Sequence, residues 1–207
     1  MSDLSIENLQ QLVKSLIFPF YTLERDAPLT FRTTRNENDA EHSWSLALFA
    51  CALAPQIDPT LDVGRVCQFA TVHDLVEVYA GDTSNFAPEA EKATKENREH
   101  EALRTLRREF QAFPWITETI ETYERQDSPE ARYVKAVDKM LLLLFDYVED
   151  GFFYKERQVT LRSWKITMAR HRDKAKVDPR VYVYYDKIWR LLISHPEFFY
   201  SSDSTRT

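Results

Sequence analysis

The chain is poor in glycine, with only three among its 207 residues, at Gly64, Gly81 and Gly151. A phosphate-binding loop of the G-x-x-x-x-G-K type and a dinucleotide-binding turn of the G-x-G-x-x-G type both need closely spaced glycines. Neither can be built here, because the three glycines are far apart. Any phosphate that the protein binds must therefore be held without a glycine-rich loop.

Basic stretches and long apolar runs are also scarce. The chain has 27 lysine and arginine residues against 33 aspartate and glutamate residues, a formal net charge of −6. Without a strongly basic stretch, duplex nucleic acid is not expected as a partner. Apolar runs such as residues 140–145 are far shorter than the roughly 20 residues that span a bilayer, so we expect no membrane association.

Cysteine is the third scarce residue type, with only Cys51 and Cys67. Both lie in apolar stretches of helical character. They could pair, but two buried thiols in the core are the preferred interpretation, and this suits a reducing compartment. The first residues also lack the basic and then apolar pattern of a signal peptide. We therefore expect a cytoplasmic protein.

Apolar residues recur at helical spacing through most of the chain, which predicts a single all-α domain over residues 1–207, a helical bundle. Helices are predicted near residues 5–17, 40–54, 63–80, 88–112, 115–125, 129–150, 157–175 and 179–194. The interleaved charges of 88–112 are typical of a solvated helix face. Residues 19–38 are predicted to form a loop rich in arginine. Residues 181–185 look like a strand, although Pro179 equally suits the first turn of a helix.

Asp138 is the most unusual residue of the predicted helix near 129–150. It lies inside the apolar stripe that contains Val134, Val137 and Leu141. Burying a lone carboxylate is costly, so Asp138 must be paired, protonated or bound to a metal. A salt bridge to a buried arginine is the alternative to a functional role.

Two histidines also lie on apolar helix faces. His42 begins one such face, and His73 shares another with Glu77, while Asp74 is displaced by about 100° around the same helix. Taken singly, each histidine is more often a hydrogen-bonded core residue than a ligand. Together with Asp138, however, two imidazoles and two carboxylates make a suitable site for one divalent metal ion.

Three short segments carry these residues in a defined order. They are Asn38-Asp39-Ala40-Glu41-His42-Ser43, Val72-His73-Asp74-Leu75-Val76-Glu77-Val78-Tyr79-Ala80-Gly81-Asp82 and Ala136-Val137-Asp138-Lys139. Their order and spacing, over roughly residues 20–150, resemble the HD-domain metal-dependent phosphohydrolases, in particular the 5′-deoxynucleotidase branch. The resemblance implies an HD-type helical bundle with one divalent ion (Mn²⁺, Co²⁺, Mg²⁺ or Zn²⁺).

The resemblance also assigns roles to individual residues. The positions that match the family's metal ligands are His42, His73, Asp74 and Asp138. Glu77 matches an acid beside the metal, and Asp82 matches a second acid after the helix. Arg25 is the best match to the family's phosphate-binding arginine, with Arg32 and Arg35 as alternatives. That branch has a tryptophan beside this arginine where the present chain has Asp26, so the preference between ribose and deoxyribose stays open.

The expected activity is release of phosphate from (deoxy)nucleoside 5′-monophosphates by a metal-activated water. One alternative is a nucleotide triphosphohydrolase, because the site does not fix the number of phosphates. Another is a sensor that binds a nucleotide without cleaving it. The expected partner is a nucleotide, and a homodimer is possible.

Overall fold

The computed structural model describes residues 4–28 and 35–201, and its regular structure is almost entirely helical. This confirms the all-α fold. The helices are α1 (Ile6–Leu12), α2 (Phe18–Thr22), α3 (Asp39–Ile57), α4 (Val63–Val72), α5 (Glu77–Ala80), α6 (Glu89–Glu109), α7 (Pro114–Glu124), α8 (Pro129–Val148), α9 (Phe152–Glu156), α10 (Leu161–Thr167), α11 (Ala169–Ala175) and α12 (Pro179–Ser194). No helix of the described residues is long and apolar enough to cross a bilayer.

Two groups of buried apolar side chains hold the helices together. The larger group lies mainly between α3, α4, α8, α10, α11 and α12. The smaller group packs α5, α6 and α7 against the amino-terminal helices. α4 contributes to both groups, with Phe69 in the larger and Val72 in the smaller. The end of α4 therefore lies where the two groups meet.

The helices that carry His42 and Asp138 have well-defined starts. At α3, the Asn38 side chain accepts a hydrogen bond from the backbone N–H of Glu41 (2.9 Å), and the Glu41 carboxylate accepts one from the N–H of Asn38 (3.0 Å). This capping box fixes the first turn of α3, where His42 lies. At α8, Ser128 Oγ accepts a hydrogen bond from Ala131 N–H (3.1 Å), and Pro129 occupies the first turn.

The predicted helix near 63–80 is interrupted. α4 ends at Val72, and residues 73–76 form a turn with i→i−3 hydrogen bonds, including Glu77 N–H to Asp74 O (2.9 Å), before α5 begins. The sequence placed Asp74 about 100° away from His73 around one continuous helix. In the tighter turn, Asp74 Oδ2 lies only 3.0 Å from His73 Nε2. The side chains of these two consecutive residues are therefore in contact within the turn.

The described parts of segment 19–38, residues 19–28 and 35–38, contain regular structure where the sequence predicted a loop. A π-helical turn (Val13–Ile17) continues the first helix into α2, because Pro19 occupies the first turn of α2, where a missing N–H is tolerated. Two short antiparallel strands follow, β1 (Glu24–Pro28) and β2 (Asn36–Asn38), with Glu24 opposite Asn38. β2 leads directly into α3, so the strand pair holds Arg25 close to the start of that helix.

Two further sequence expectations are resolved by helix periodicity. Residues 181–185 belong to α12, which Asp178 caps and in which Val181, Tyr185, Trp189 and Leu192 form the buried face. The expectation of two buried thiols is wrong for Cys67, which is exposed because it lies beside the buried face of α4 rather than on it. Cys51 is half-buried, and neither cysteine is in a disulfide.

Candidate metal centre

Three of the four predicted metal ligands converge in the interior. His42 comes from α3, His73 from the turn after α4 and Asp138 from α8, and all three are buried. One donor atom from each lies within 4.8 Å of the other two. This spread is close to the separation of donors across one ion, about 4 Å for bonds of about 2 Å.

His73 is held in the tautomer that a metal ligand requires. Its Nδ1 lies 2.9 Å from the carbonyl oxygen of Ala70, so the ring donates its hydrogen there. The other ring nitrogen, Nε2, lies 3.0 Å from Asp74 Oδ2 but makes no hydrogen bond in the described part of the chain, although the side chain is buried. A backbone carbonyl that orients the far nitrogen is the usual support of a histidine ligand.

His42 lies between two carboxylates. Its Nε2 is 3.1 Å from Asp138 Oδ1, and its Nδ1 is 3.5 Å from Glu37 Oε2. Burial and the charge of Arg25 lower the pKa of His42, but the bonds to Asp138 and Glu37 outweigh both and raise it to about 9. Burial raises the pKa of Asp138, but Lys139 and His42 outweigh burial and hold it well below its ordinary value. The buried charges thus balance one another.

Asp74, the fourth predicted ligand, joins this cluster to Arg25. The guanidinium of Arg25 donates to Asp74 Oδ2 (2.8 Å) and to Asp39 Oδ1 (2.9 Å). Burial raises the pKa of Asp74, but His73, Arg25 and His42 outweigh burial and hold it below its ordinary value. Burial and the charge of Asp74 raise the pKa of Asp39 to about 6.

Glu77 lies on the other side of Asp74. Donor oxygens of Asp39, Asp74 and Glu77 lie within 4.8 Å of one another. Glu77 Oε1 accepts a hydrogen bond from Lys95 Nζ (2.9 Å), so one position of α6 faces inward rather than solvent, contrary to the predicted solvated helix. Burial and the neighbouring Asp74 raise the pKa of Glu77 well above its ordinary value.

Asp82 occupies a different position from Glu77. Gly81 has φ of +76°, a conformation that suits glycine, and it turns the chain out of α5 towards Asp82. Arg98 fixes this turn, because its guanidinium donates to the carbonyl oxygen of Ala80 and to Thr83 Oγ1. Asp82 then lines the wall of a cavity, whereas Glu77 lies one layer deeper.

The cavity has a volume of about 330 Å³ and extends from the candidate metal centre along α8. Arg25, Glu37, His42, Asp82 and Asp138 line the end nearest the centre. Further along α8, Asp146 accepts a hydrogen bond from the hydroxyl of Tyr154, and burial raises the pKa of Asp146 to about 7. The cavity thus has a charged end and a more apolar end.

The donor set fits a divalent cation. Two imidazoles and several carboxylates meet in a buried place, and three of their atoms, His73 Nε2, Asp39 Oδ2 and Glu77 Oε2, lack hydrogen-bond partners among the described residues. Buried polar atoms without partners are costly, and a cation with its bound waters would satisfy them. Nitrogen and oxygen donors without thiolate suit Mn²⁺, Co²⁺ or Zn²⁺, and Mg²⁺ where oxygen donors dominate.

The three candidate arginines differ in their surroundings. Arg25 lines the cavity beside Asp74. Arg35 binds the Glu41 carboxylate through two N–H donors (2.8 and 2.6 Å) at the exposed start of α3, and it is not among the residues that line the cavity. Arg32 lies outside the described residues. The geometry therefore favours Arg25.

Several residues of the centre were not singled out from the sequence. Asp39 was quoted only as part of a motif, Glu37 precedes that motif, and Lys139 beside Asp138 was likewise only quoted. Lys95 is one of many charges on α6, and nothing in its spacing marks it. His171 was not singled out either, and it is buried and lines the cavity.

These features place the chain among known proteins. Residues 22–177 match the family model of the HD domain, and the chain belongs to the HD-domain family.

Named relatives are more distant. The human protein called 5′-deoxynucleotidase HDDC2 is 31% identical over 115 residues, or 53% of each chain, so the match spans about half of that relative. The 5′-deoxynucleotidase hdd1 of Schizosaccharomyces pombe is 26% identical over 144 residues, 65% of this chain and 69% of that one. A solved structure from Magnetospirillum magnetotacticum MS-1, described as a predicted metal-dependent phosphohydrolase, has a TM-score of 0.76 and 26% identity, covering 95% of this chain and 98% of that chain.

Replacing Asp138 with asparagine should weaken metal binding. Removing a residue that only hydrogen-bonds to a metal ligand typically lowers the affinity for the metal by about 10- to 100-fold. Removing the charge of the ligand itself should therefore lower it by at least about 100-fold. Titration with Mn²⁺ measures this directly. The matched control is Asp146→Asn, which removes another carboxylate of the same helix about 12 Å further along its axis. Equal affinity in Asp138→Asn and the unmodified protein would remove Asp138 from the centre.

The raised pKa of Asp146 predicts a pH-dependent stability difference. The carboxyl group of Asp146 loses its proton near pH 4 in the unfolded chain but only near pH 7 in the folded protein. The free energy of unfolding therefore falls as the pH rises between about pH 4 and pH 7. Asp146→Asn should remove this loss, because asparagine stays neutral and can still accept from Tyr154. The difference in unfolding free energy should grow to at most about 4 kcal/mol and level off above about pH 7. Urea unfolding at several pH values, with a metal chelator present, checks it, and a constant difference would contradict it.

Proposed function

We propose that the protein is a metal-dependent phosphohydrolase that releases phosphate from nucleoside 5′-monophosphates, including deoxynucleotides. The observation that carries this proposal is the buried cluster of His42, His73, Asp74 and Asp138 at one end of a cavity that Arg25 also lines. The names of the human and fission-yeast relatives support the reaction class.

His42, His73, Asp74 and Asp138 would hold one divalent ion. A bound ion of this kind supplies a water of much lower pKa and polarises a phosphoryl oxygen. The support for these ligands is chemical: His73 presents an unpartnered Nε2, and Asp138 is held in its ionised form beside His42. Which metal serves is part of the proposal to be tested.

Arg25 binds the phosphate in this proposal. Attack on phosphorus increases negative charge on the equatorial oxygens, and a guanidinium stabilises that charge by forked hydrogen bonds. Asp39 and Asp74 hold the guanidinium in place. Burial lowers the pKa of Arg25, but the charges of Asp74, Asp82 and Asp39 outweigh burial and keep it raised, so Arg25 stays charged. The chain has no glycine-rich loop for this task.

Two carboxyl groups are placed to move protons. Glu77 lies beside Asp74, one of the proposed ligands, and Asp82 lies on the cavity wall, where a leaving 5′ oxygen would be. Their different depths suggest a division of tasks: Glu77 orients and deprotonates the attacking water, and Asp82 protonates the leaving oxygen. Lys95 holds Glu77 in position.

A substrate with one phosphate is favoured by the size of the cavity. Its volume of about 330 Å³ is near the lower limit of small-molecule sites, about 300 to 1,000 Å³.

A phosphate-release screen over nucleoside mono-, di- and triphosphates, with Mn²⁺, Co²⁺, Mg²⁺ and Zn²⁺ in parallel, tests the proposal. Release from triphosphates alone would favour the triphosphohydrolase. Binding without any release would favour a nucleotide sensor.

We also propose a cytoplasmic location and a homodimer. A cytoplasmic location agrees with two cysteines that are not in a disulfide. A homodimer agrees with Trp44 and Leu48, which lie one turn apart on α3 and are 68% and 58% exposed. Light scattering of the purified protein and of Trp44→Glu distinguishes a dimer from a monomer.

Glu77→Gln and Asp82→Asn should each lower kcat by a factor of about 10² to 10⁴. They should differ with p-nitrophenyl phosphate, whose leaving group departs without a proton. Asp82→Asn should recover most of its activity on this ester, and Glu77→Gln should not. Glu101→Gln, on the exposed side of α6, is the control and should match the unmodified protein. Unchanged turnover of nucleotides by either site variant would exclude that carboxyl from the reaction.

Arg25→Lys should lower kcat/KM by about 10- to 100-fold, because an ammonium cannot make the forked contact that a guanidinium makes. Arg35→Lys is the control, since Arg35 binds Glu41 away from the cavity, and Arg32→Lys completes the series. Metal content of each variant is measured in parallel, because Arg25 also contacts Asp74. If all three variants match the unmodified protein, the phosphate is held by other groups.

A further inference from the structure

The cavity continues well beyond the groups that the proposed reaction uses. From Asp138, one face of α8 lines it through Leu142, Phe145 and Asp146. Eight residues separate Asp138 from Asp146, which corresponds to about 12 Å along the helix axis. This length exceeds what a phosphate and an ion need, so a second part of the ligand must occupy the far end if the cavity is filled.

His171, on α11, brings an unpartnered polar atom to the same cavity. The side chain is only 3% exposed, it lines the cavity, and its Nε2 has no hydrogen-bond partner in the described residues. Its Nδ1 lies 2.9 Å from the hydroxyl of Tyr185. This hydroxyl is buried and has no other partner in the part of the chain that the structure describes, so it must donate to Nδ1, since an unmade bond there would be costly. Nε2 therefore carries the hydrogen.

The His171 ring stays neutral at physiological pH. Burial and the charge of Lys139 lower its pKa to about 3. The ring therefore offers a single uncharged N–H donor. An uncharged donor in a buried place suits a neutral acceptor, such as a ring nitrogen or a carbonyl oxygen, better than it suits a second phosphate.

Flat apolar side chains line the same cavity. Phe86 follows the turn that carries Asp82, and Phe153 lies on α9, with their ring centroids 5.6 Å apart. Leu142, Phe145 and Met168 add further apolar surface. Phe145 remains 39% exposed although it belongs to the apolar stripe of α8. Aromatic walls with one or two polar groups are the usual environment of a planar heteroaromatic ligand.

We propose that this end of the cavity binds the base of the nucleotide, with the base against Phe86 and Phe153 and with His171 Nε2–H donating to an acceptor on its edge. Asp146 lies on the same wall as a second polar contact. The inference rests on the proposed function for the position of the phosphate. The base contacts are argued from His171, Phe86 and Phe153 alone. Every common nucleobase has such an acceptor, so this subsite distinguishes a nucleotide from a sugar phosphate rather than one base from another.

The kinetic test compares nucleotides with 2-deoxyribose 5-phosphate, which has the same phosphate and sugar but no base. The unmodified protein should prefer the nucleotides by at least about 10-fold in kcat/KM. His171→Phe keeps a flat ring but loses the donor, and it should raise KM for nucleotides by about 3- to 10-fold while kcat/KM for the sugar phosphate stays unchanged. His171→Gln retains an N–H donor and should lie between His171→Phe and the unmodified protein. His100→Phe, on exposed α6, is the control.

Phe86→Ala provides a variant that does not disturb the buried pair of His171 and Tyr185, since Phe86 lies in a half-buried segment between α5 and α6. It should weaken nucleotide binding by about 5-fold or more, again without effect on the sugar phosphate. Thermal unfolding of all variants identifies any that fail to fold. Equal effects on both substrates, or no effect of either His171→Phe or Phe86→Ala, would overturn the base subsite.

A binding test separates this inference from the proposed reaction. Thymidine and deoxyadenosine, which carry no phosphate, are titrated into the metal-loaded protein and into His171→Phe by NMR. Weaker binding to the variant supports the subsite even if the unmodified protein releases phosphate from no nucleotide, in which case the proposed function alone fails. If phosphate is released but 2-deoxyribose 5-phosphate is as good a substrate as the nucleotides, the proposed function stands and the base subsite is wrong.

Discussion

The structure depends on the mutual compensation of charges that are buried where the two groups of apolar side chains meet. Asp138, His42 and Glu37 form one row of contacts, and Arg25 joins Asp39 to Asp74 in another. None of these groups could be buried alone, because an unpaired charge in the interior costs several kcal/mol. The helices therefore have to pack so that opposite charges face one another. The same requirement creates a place of fixed charge next to a cavity.

The sequence predicted the helical class, and it singled out the main residues of the candidate centre, because both follow from local patterns. Helix periodicity is a property of neighbouring residues, and Asp138 was conspicuous because a carboxylate interrupted an apolar stripe. His42 and His73 were found in the same way. The order of the three motifs that carry these residues indicated a common site, and the HD-domain match over residues 22–177 explains that order.

Other parts of the centre could not be predicted, because they depend on contacts between distant segments. The break between α4 and α5 has no proline or glycine that marks it, and the contact between Asp74 and His73 lies within this break. Lys95 and Arg98 looked like ordinary charges on a solvated helix, and only the packing of α6 against α5 turns them inward. Nothing in the sequence distinguishes His171 from the other histidines, and only the packing of α11 places it on the cavity.

The separation of the site's residues along the chain has a consequence for folding. The contact between His42 and Asp138 closes a loop of 96 residues, and that between Arg25 and Asp74 closes one of 49. Contacts this remote incur their loop-closure entropy before they stabilise anything, so they form late and slow the overall folding rate. During synthesis, α3 and α4 emerge well before α8, and until then His42 lacks Asp138, one of the two carboxylates that compensate it. The candidate centre can be assembled only after Asp138, 96 residues beyond His42, has left the ribosome.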